Sequence, residues 1–206
     1  VYDKFDHEGL IHIGCWSHAR RPFHQLATVL KTDAPNSQTY RHAVGIVEAI
    51  GKLYSHERTL REANAPPEQR LVHRQEHSVP LLPSIKEKLE AVQAEALPTS
   101  KLGKACAYAL GQWPKLIRVF DFGEVELDTN WAENSVRPLV LGRKNWLHVG
   151  SWEAGPRVAA IASVIESSKR LGINPRDYLA DVLPRLANGT TSEVSSLTPA
   201  AWLRAR

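Results

Sequence analysis

Leu10-Ile11-His12-Ile13-Gly14-Cys15-Trp16-Ser17-His18-Ala19-Arg20-Arg21-Pro22-Phe23 begins with strand chemistry and ends with helix chemistry. Ile11 and Ile13 are β-branched, which favours a short strand from Leu10 to Cys15. From about Ser17 to Leu30 the apolar positions Ala19, Phe23, Leu26 and Leu30 recur at helical spacing, so the strand is expected to run into a helix. A strand this early has nothing ahead of it to pair with. No methionine occurs anywhere, position 1 included. Both features read as an N-terminal portion that is missing.

Outward from this segment, Asp33-Ala34-Pro35-Asn36-Ser37 has turn composition. A long helix is expected from about Gln38 to Ala63, with Tyr40, Val44, Val47, Ile50, Leu53 and Tyr54 as its apolar stripe. Gly45 and Gly51 each cost that helix about 1 kcal/mol relative to alanine, and Pro66-Pro67 stops it. Three more helices follow by pattern, at about Pro67–His77, Pro80–Ala96 and Ser100–Phe120, the last broken at Pro114. Val125-Glu126-Leu127 alternates like a short strand or extended arm. A short helix should begin near Asn130 and end before Pro138, and Trp146-Leu147-His148-Val149 looks extended. Pro156 then stands in the first turn of a helix bearing Val158, Ile161, Ala162, Ile165 and Lys169, closed by Gly172. Asn174-Pro175-Arg176-Asp177 caps a further helix with Tyr178, Leu179, Val182 and Leu183. The stretch from Asn188 to Thr198 reads as a loop before a short element around Trp202.

At 206 residues the chain is long enough to bury a sizeable core, as one domain or two small ones. Its 43% hydrophobic and 23% charged residues argue against wholesale disorder. The net charge of +4 and pI near 9.1 suit a polyanionic partner without demonstrating one. Cys15 and Cys106 are too few for a disulfide framework and fit a reducing cytoplasm. No apolar run approaches the roughly 20 residues of a membrane span, and Val1-Tyr2-Asp3-Lys4 lacks the regions of a secretory signal.

The stretch from Asp128 to Ser151 carries the chemistry. Glu133 and Arg137 are four apart on one helical face, and Arg143-Lys144 follow in a glycine-led turn. One carboxylate beside several cations suits a metal ion and a phosphate backbone. Two plainer readings stand beside this one. Asn130 and Glu133 have the spacing of a capping box, and Glu133 with Arg137 could be a surface pair contributing about 0.3–0.5 kcal/mol.

Four landmarks shift that balance: Gly14 to Phe23; Ser100-Lys101-Leu102-Gly103-Lys104-Ala105; Asp128 to Ser151 with Glu133, Arg137-Pro138 and Gly142-Arg143-Lys144-Asn145-Trp146; and Asn174-Pro175 leading into Tyr178-Leu179. In this order they resemble the transposases of the insertion sequence 66 family over nearly the whole chain, and the third landmark is the long and specific one. The resemblance implies an RNase H-like catalytic core using two aspartates and a glutamate, with Glu133 as that glutamate and a metal ligand. Two magnesium ions, about 3.5–4 Å apart, would activate the attacking oxygen and stabilise the leaving one. Water would free a 3′ hydroxyl, which then attacks target DNA. The second aspartate is expected a few residues before Val1. Asp3 is a poor substitute, and the first aspartate is absent too, so this chain by itself is expected to be inactive.

The expected architecture is mainly α with a few short strands, a partial RNase H-like α/β core interrupted by a helical insertion domain. The segments are 1–32 (core remnant), 33–122 (insertion), 123–172 (end of the core with the third acid) and 173–206 (a C-terminal helical element). Arg137, Arg143, Lys144, Arg20 and Arg21 are expected on DNA. Cys15 and His18 are expected to support the edge of the active site, since a zinc site needs four ligands and Cys106 is the only other cysteine. Trp131 and Trp146 are candidates for base stacking or, more so for Trp146, for core packing. The whole enzyme would be a cytoplasmic, nucleoid-associated homo-oligomer acting on element ends and target DNA, with no membrane. The rival readings are a non-catalytic DNA-binding or regulatory remnant of a transposase gene, and a helical protein that binds other proteins.

Overall fold

The computed structural model describes the backbone of residues 10–146, 150–188 and 191–205. Among these residues the regular structure is helical, and no strand is present. This corrects the expectation of short strands and of a partial RNase H-like α/β core. The reason is visible at residues 10–15. A strand is made by a row of hydrogen bonds to a neighbour, whereas this segment makes an isolated one, from Gly14 N–H to the Lys115 carbonyl at 2.8 Å. Leu10 and Ile11 are exposed, and Ile13 packs on the core. Beta-branched residues favour extended backbone; they do not supply a partner. The 125–127 segment likewise forms no strand and bends at 125 and 127.

Two compact units divide the chain, Val1–Asn130 and Trp131–Arg206. In the first, α1 (Trp16–Asp33) and α2 (Gln38–Glu62) pack together, and α1 also packs on α5 (Lys101–Gly111). Ser37 caps α2 by accepting from Tyr40 N–H at 3.1 Å, and Ser100 caps α5 by accepting from Gly103 N–H at 3.0 Å. Each cap satisfies an orphan donor at the helix start. Between α3 (Pro67–His73) and α4 (Leu82–Glu95) the ladder passes through a π segment, Arg74–Ser78, and a 3-10 turn, Val79–Leu81. Pro80 has no N–H to give to Glu76, so the regular α ladder cannot continue there. Helix α6 (Trp113–Ile117) and the 3-10 turn Arg118–Asp121 complete the expected Ser100–Phe120 helix in three pieces.

Trp16 sits at the centre of this core. It is fully buried, donates its indole N–H to the Leu116 carbonyl at 3.0 Å, and meets Trp113 and Phe120 edge-on at 5.7 and 6.1 Å. Burying such a ring contributes at least the ~1.5–3 kcal/mol of a large aliphatic side chain. The backbone comes close in two places. A Cβ at Gly14 would stand 2.9 Å from Leu116 N, and one at Gly123 would stand 1.8 Å from the Pro67 carbonyl oxygen.

In the second unit, α7 (Asn130–Trp146) continues through Pro138, so the helix expected to stop before that proline does not, and the Gly142–Lys144 turn is helical instead. Asn134 and Pro138 are both exposed, so water can reach the carbonyl that Pro138 leaves without a donor. Trp146 ends α7 rather than opening an extended segment, and residues 147–149 lie outside the described residues. Helix α8 (Ala154–Arg170) closes at Gly172, whose φ is +70°. Asn174 accepts from Arg176 N–H at 2.9 Å to start α9 (Pro175–Asn188). The expected loop contains a 3-10 segment, Thr191–Leu197, before α10 (Pro199–Arg204). Ile173, Tyr178, Val182, Leu197 and Trp202 form a small core, tied by Tyr178 Oη to the Leu197 carbonyl and by Trp202 Nε1 to Asp181 Oδ2, both at 2.5 Å. No described helix is long and apolar enough to cross a membrane.

Candidate functional site

The start of α1 is fixed against the segment that leads to Glu133. Cys15, in extended conformation (φ −98°, ψ 113°), precedes the first turn of α1. Trp16 N–H donates to the Leu127 carbonyl at 2.9 Å. Thr129 reaches Cys15 Sγ with both its backbone N–H and its hydroxyl, each at 3.5 Å. Asp128 Oδ1 accepts from Asn130 N–H at 3.1 Å, an Asx turn that delivers the chain into α7. Cys15 therefore serves as a partly buried sulfur acceptor for the residue that precedes α7.

A buried ion network holds the same segment from below. The Arg74 guanidinium is fully buried and the Glu57 carboxylate nearly so. Arg74 Nε and Nη2 grip the two Glu57 oxygens at 2.7 Å each. Its remaining donors reach the Val125 carbonyl at 2.8 Å, the Val119 carbonyl at 3.3 Å and the Phe122 carbonyl. Arg70 bridges Glu57 at 3.1 Å to Glu126 at 2.9 Å, and Arg61 holds the other Glu126 oxygen at 3.0 Å. Burial pushes the Glu57 carboxyl pKa up, but hydrogen bonds and charge from Arg74 and Arg70 outweigh it and hold it below the ordinary carboxylate range. The network anchors residues 119–126, just upstream of Asp128. None of it was legible as a motif, because Glu57, Arg74 and the carbonyls they engage are far apart in sequence.

In the second unit Glu133 lies in the first turn of α7 and is exposed. Asn130 is the first helical residue there rather than the residue before the helix. The helix dipole favours a carboxylate at this end by roughly 0.3–1 kcal/mol. Arg170, at the end of α8, donates to the Trp131 carbonyl at 3.3 Å and to the Ser135 hydroxyl. It thus braces the turn that carries Glu133, a role that no local spacing announces. Arg137 is exposed on α7, and Trp131 is 69% exposed, which removes core packing as its role. Arg143 and Lys144 are on α7 by backbone, but their side chains, with that of Trp146, lie outside the described residues, as does Asp3. Arg20 and Arg21 stand on the second turn of α1, half-buried and exposed respectively, and His18 is half-buried one turn before the latter.

Among the described residues no three His, Cys, Asp or Glu side chains gather as a metal site. Glu133 offers one carboxylate, the donor type that magnesium accepts.

The family model described as Transposase IS66 family matches residues 1–157, and that of the IS66 C-terminal element matches residues 163–200. The uncharacterized protein y4jD of Sinorhizobium fredii (strain NBRC 101917 / NGR234) is 35% identical over 190 residues, covering 91% of this chain and 35% of the relative. The uncharacterized protein y4hP of the same strain is 32% identical over 195 residues, covering 93% of this chain and 35% of the relative. A third, y4qI, is 32% identical over 187 residues, covering 90% and 33%. The chain thus spans about a third of the length of these relatives. No solved structure matches.

Proposed function

The chain belongs to the IS66 transposase family, and we propose that, within a longer protein, it supplies one metal-binding acid, Glu133, to an enzyme that cuts and joins DNA. The observation carrying this reading is an exposed carboxylate at the positively polarised start of α7, inside the stretch matched to the transposase family. A single acid does not make a magnesium site, so the other ligands are assigned to the rest of the longer protein. Bound magnesium would supply charge neutralisation at phosphorus and activation of the attacking oxygen.

The residues here have the complementary task of placing that acid. The Arg74 network and the Cys15–Thr129 contacts fix the chain up to Asn130, and Arg170 braces the first turn of α7. Arg137, Arg143, Lys144, Arg20 and Arg21 are assigned to DNA phosphates, consistent with a net charge of +4. The longer protein is proposed to act as a homo-oligomer on the ends of its element.

The test is a nicking assay with the longer protein and a duplex carrying an end of its element. Strand cleavage is expected with magnesium present and none with a chelator in excess. DNA binding without cleavage under any divalent ion would instead support a regulatory remnant.

A further inference from the structure

A cavity of about 410 Å³ opens between α1, α2 and residues 128–130. Arg20, Arg21 and Arg58 line it, and Asp128 is the one carboxylate among the described lining residues. Among the described residues no ion pair engages any of the three arginines. Asp128 is already occupied in part by Asn130 N–H. Among the described residues the wall therefore carries an excess of positive charge.

Two further observations indicate what would fill it. Among the described residues the buried Arg20 Nε has no hydrogen-bond partner, and the buried Tyr54 hydroxyl faces the Asp128 carboxylate. The Tyr54 phenol lies within reach of the Asp128 charge, and burial first, then Asp128, push its pKa well above the ordinary value, so it stays a neutral hydroxyl. Arg Nε is a donor only, so its buried N–H calls for an acceptor. An occupant that satisfies it must bring an acceptor oxygen. Gly51 lines the same cavity in the middle of α2, and a Cβ there would meet nothing within 4 Å. No packing contact calls for glycine at that position. A side chain added there would stand in open space beside the cavity.

We propose that this cavity is a seat for one phosphodiester group of a DNA strand, held by Arg20, Arg21 and Arg58. The proposal rests on the transposase reading and adds Arg58 and Tyr54 to the DNA surface. Three guanidiniums in fork geometry match phosphate oxygens, and the position beside Asp128 places the strand next to the segment that runs into α7. Sequence reasoning missed Arg58 because it lies on α2, 38 residues from Arg20 by their numbers. The signal was there in retrospect: Gly51, Tyr54 and Arg58 follow one another at spacings of three and four, the repeat of one helix face.

The test measures binding of a short fluorescein-labelled duplex to the 206-residue chain across a salt series. Arg58→Ala should lower the slope of log K against log salt by about 0.9, the release expected for one lost phosphate contact. Lys86→Ala, a cation on α4 outside the cavity, should leave the slope unchanged. Gly51→Glu places a carboxylate at the mouth while improving helix propensity. It should melt no lower than the parent and bind the duplex about tenfold or more weakly. An Arg58→Ala slope equal to the parent's, or full binding by Gly51→Glu, overturns the proposal. Inorganic phosphate raising the melting temperature only when Arg58 is present, with duplex binding independent of Arg58, also overturns it, in favour of a free-phosphate site. Metal-dependent nicking by the longer protein that persists undiminished in Gly51→Glu would sink the cavity while leaving the transposase reading intact.

Discussion

Glu133→Gln in the longer protein is expected to cut strand nicking by about a thousandfold or more, roughly 4 kcal/mol of barrier at 1.36 kcal/mol per decade, with DNA binding almost unchanged. The substitution keeps the size and shape of the side chain and removes the charge that a hard divalent cation needs. Its structural cost is small. Glu133 is exposed, so the helix-dipole contribution and a surface partner it gives up are each at most about 1 kcal/mol. Several kcal/mol of lost catalysis cannot arise from so small a change in stability, so melting and nicking together separate a ligand from a capping residue. A variant that nicks at more than a tenth of the parent rate would remove Glu133 from the site.

Arg74→Ala is expected to destabilise the first unit by about 3–5 kcal/mol, the range for breaking a buried ion pair by deleting one partner. All five guanidinium N–H groups are engaged, two by Glu57 and three by the carbonyls of Val119, Phe122 and Val125. Alanine leaves a nearly buried carboxylate with Arg70 alone and takes the arginine donor from the Phe122 and Val125 carbonyls, while Val119 keeps the Phe122 N–H. Arg74→Lys should recover only part of the loss, because an ammonium offers three donors from one point instead of a planar fork. The pH dependence has a definite sign. The folded pKa of Glu57 lies below its ordinary value of 4.5, so its contribution is present above about that pH and is lost as pH falls through the folded pKa. The Arg74→Ala penalty should accordingly be largest near neutrality and shrink in acid. Urea denaturation of the 206-residue chain reads both effects. A loss below about 1 kcal/mol, or a penalty that grows in acid, would show the network to be incidental.

The helices were largely legible, and so were several of their ends, since those depend on neighbours in sequence. Asn174 caps α9 as its position predicts, and Gly172 ends α8 with positive φ. The strand at Leu10–Cys15 was misread because alternation reports a preference for extended backbone, while a sheet also requires a partner that no local pattern can reveal. Pro138 was misread as a stop because a proline's missing donor is tolerated when the orphaned carbonyl faces water. Of the proposed site, Glu133 and Arg137 are assigned from spacing and resemblance. Arg74, Arg170 and Arg58 were not. Arg74 and Arg170 engage residues tens of positions away, Arg58 is grouped with Arg20 only by the fold, and a buried arginine has the same letter as a solvated one.

The Glu133 carboxylate is proposed to contact a metal ion during strand cleavage. A change of ligand softness tests it most directly, by comparing Glu133→Cys in the longer protein under magnesium and under manganese. A thiolate is a poor ligand for magnesium and a better one for softer divalent ions. Nicking is expected to be lost with magnesium and recovered at least in part with manganese, and Glu133→Ala should show no such recovery. Equal activity of Glu133→Cys under the two ions, or equal recovery by Glu133→Ala, would contradict the assignment.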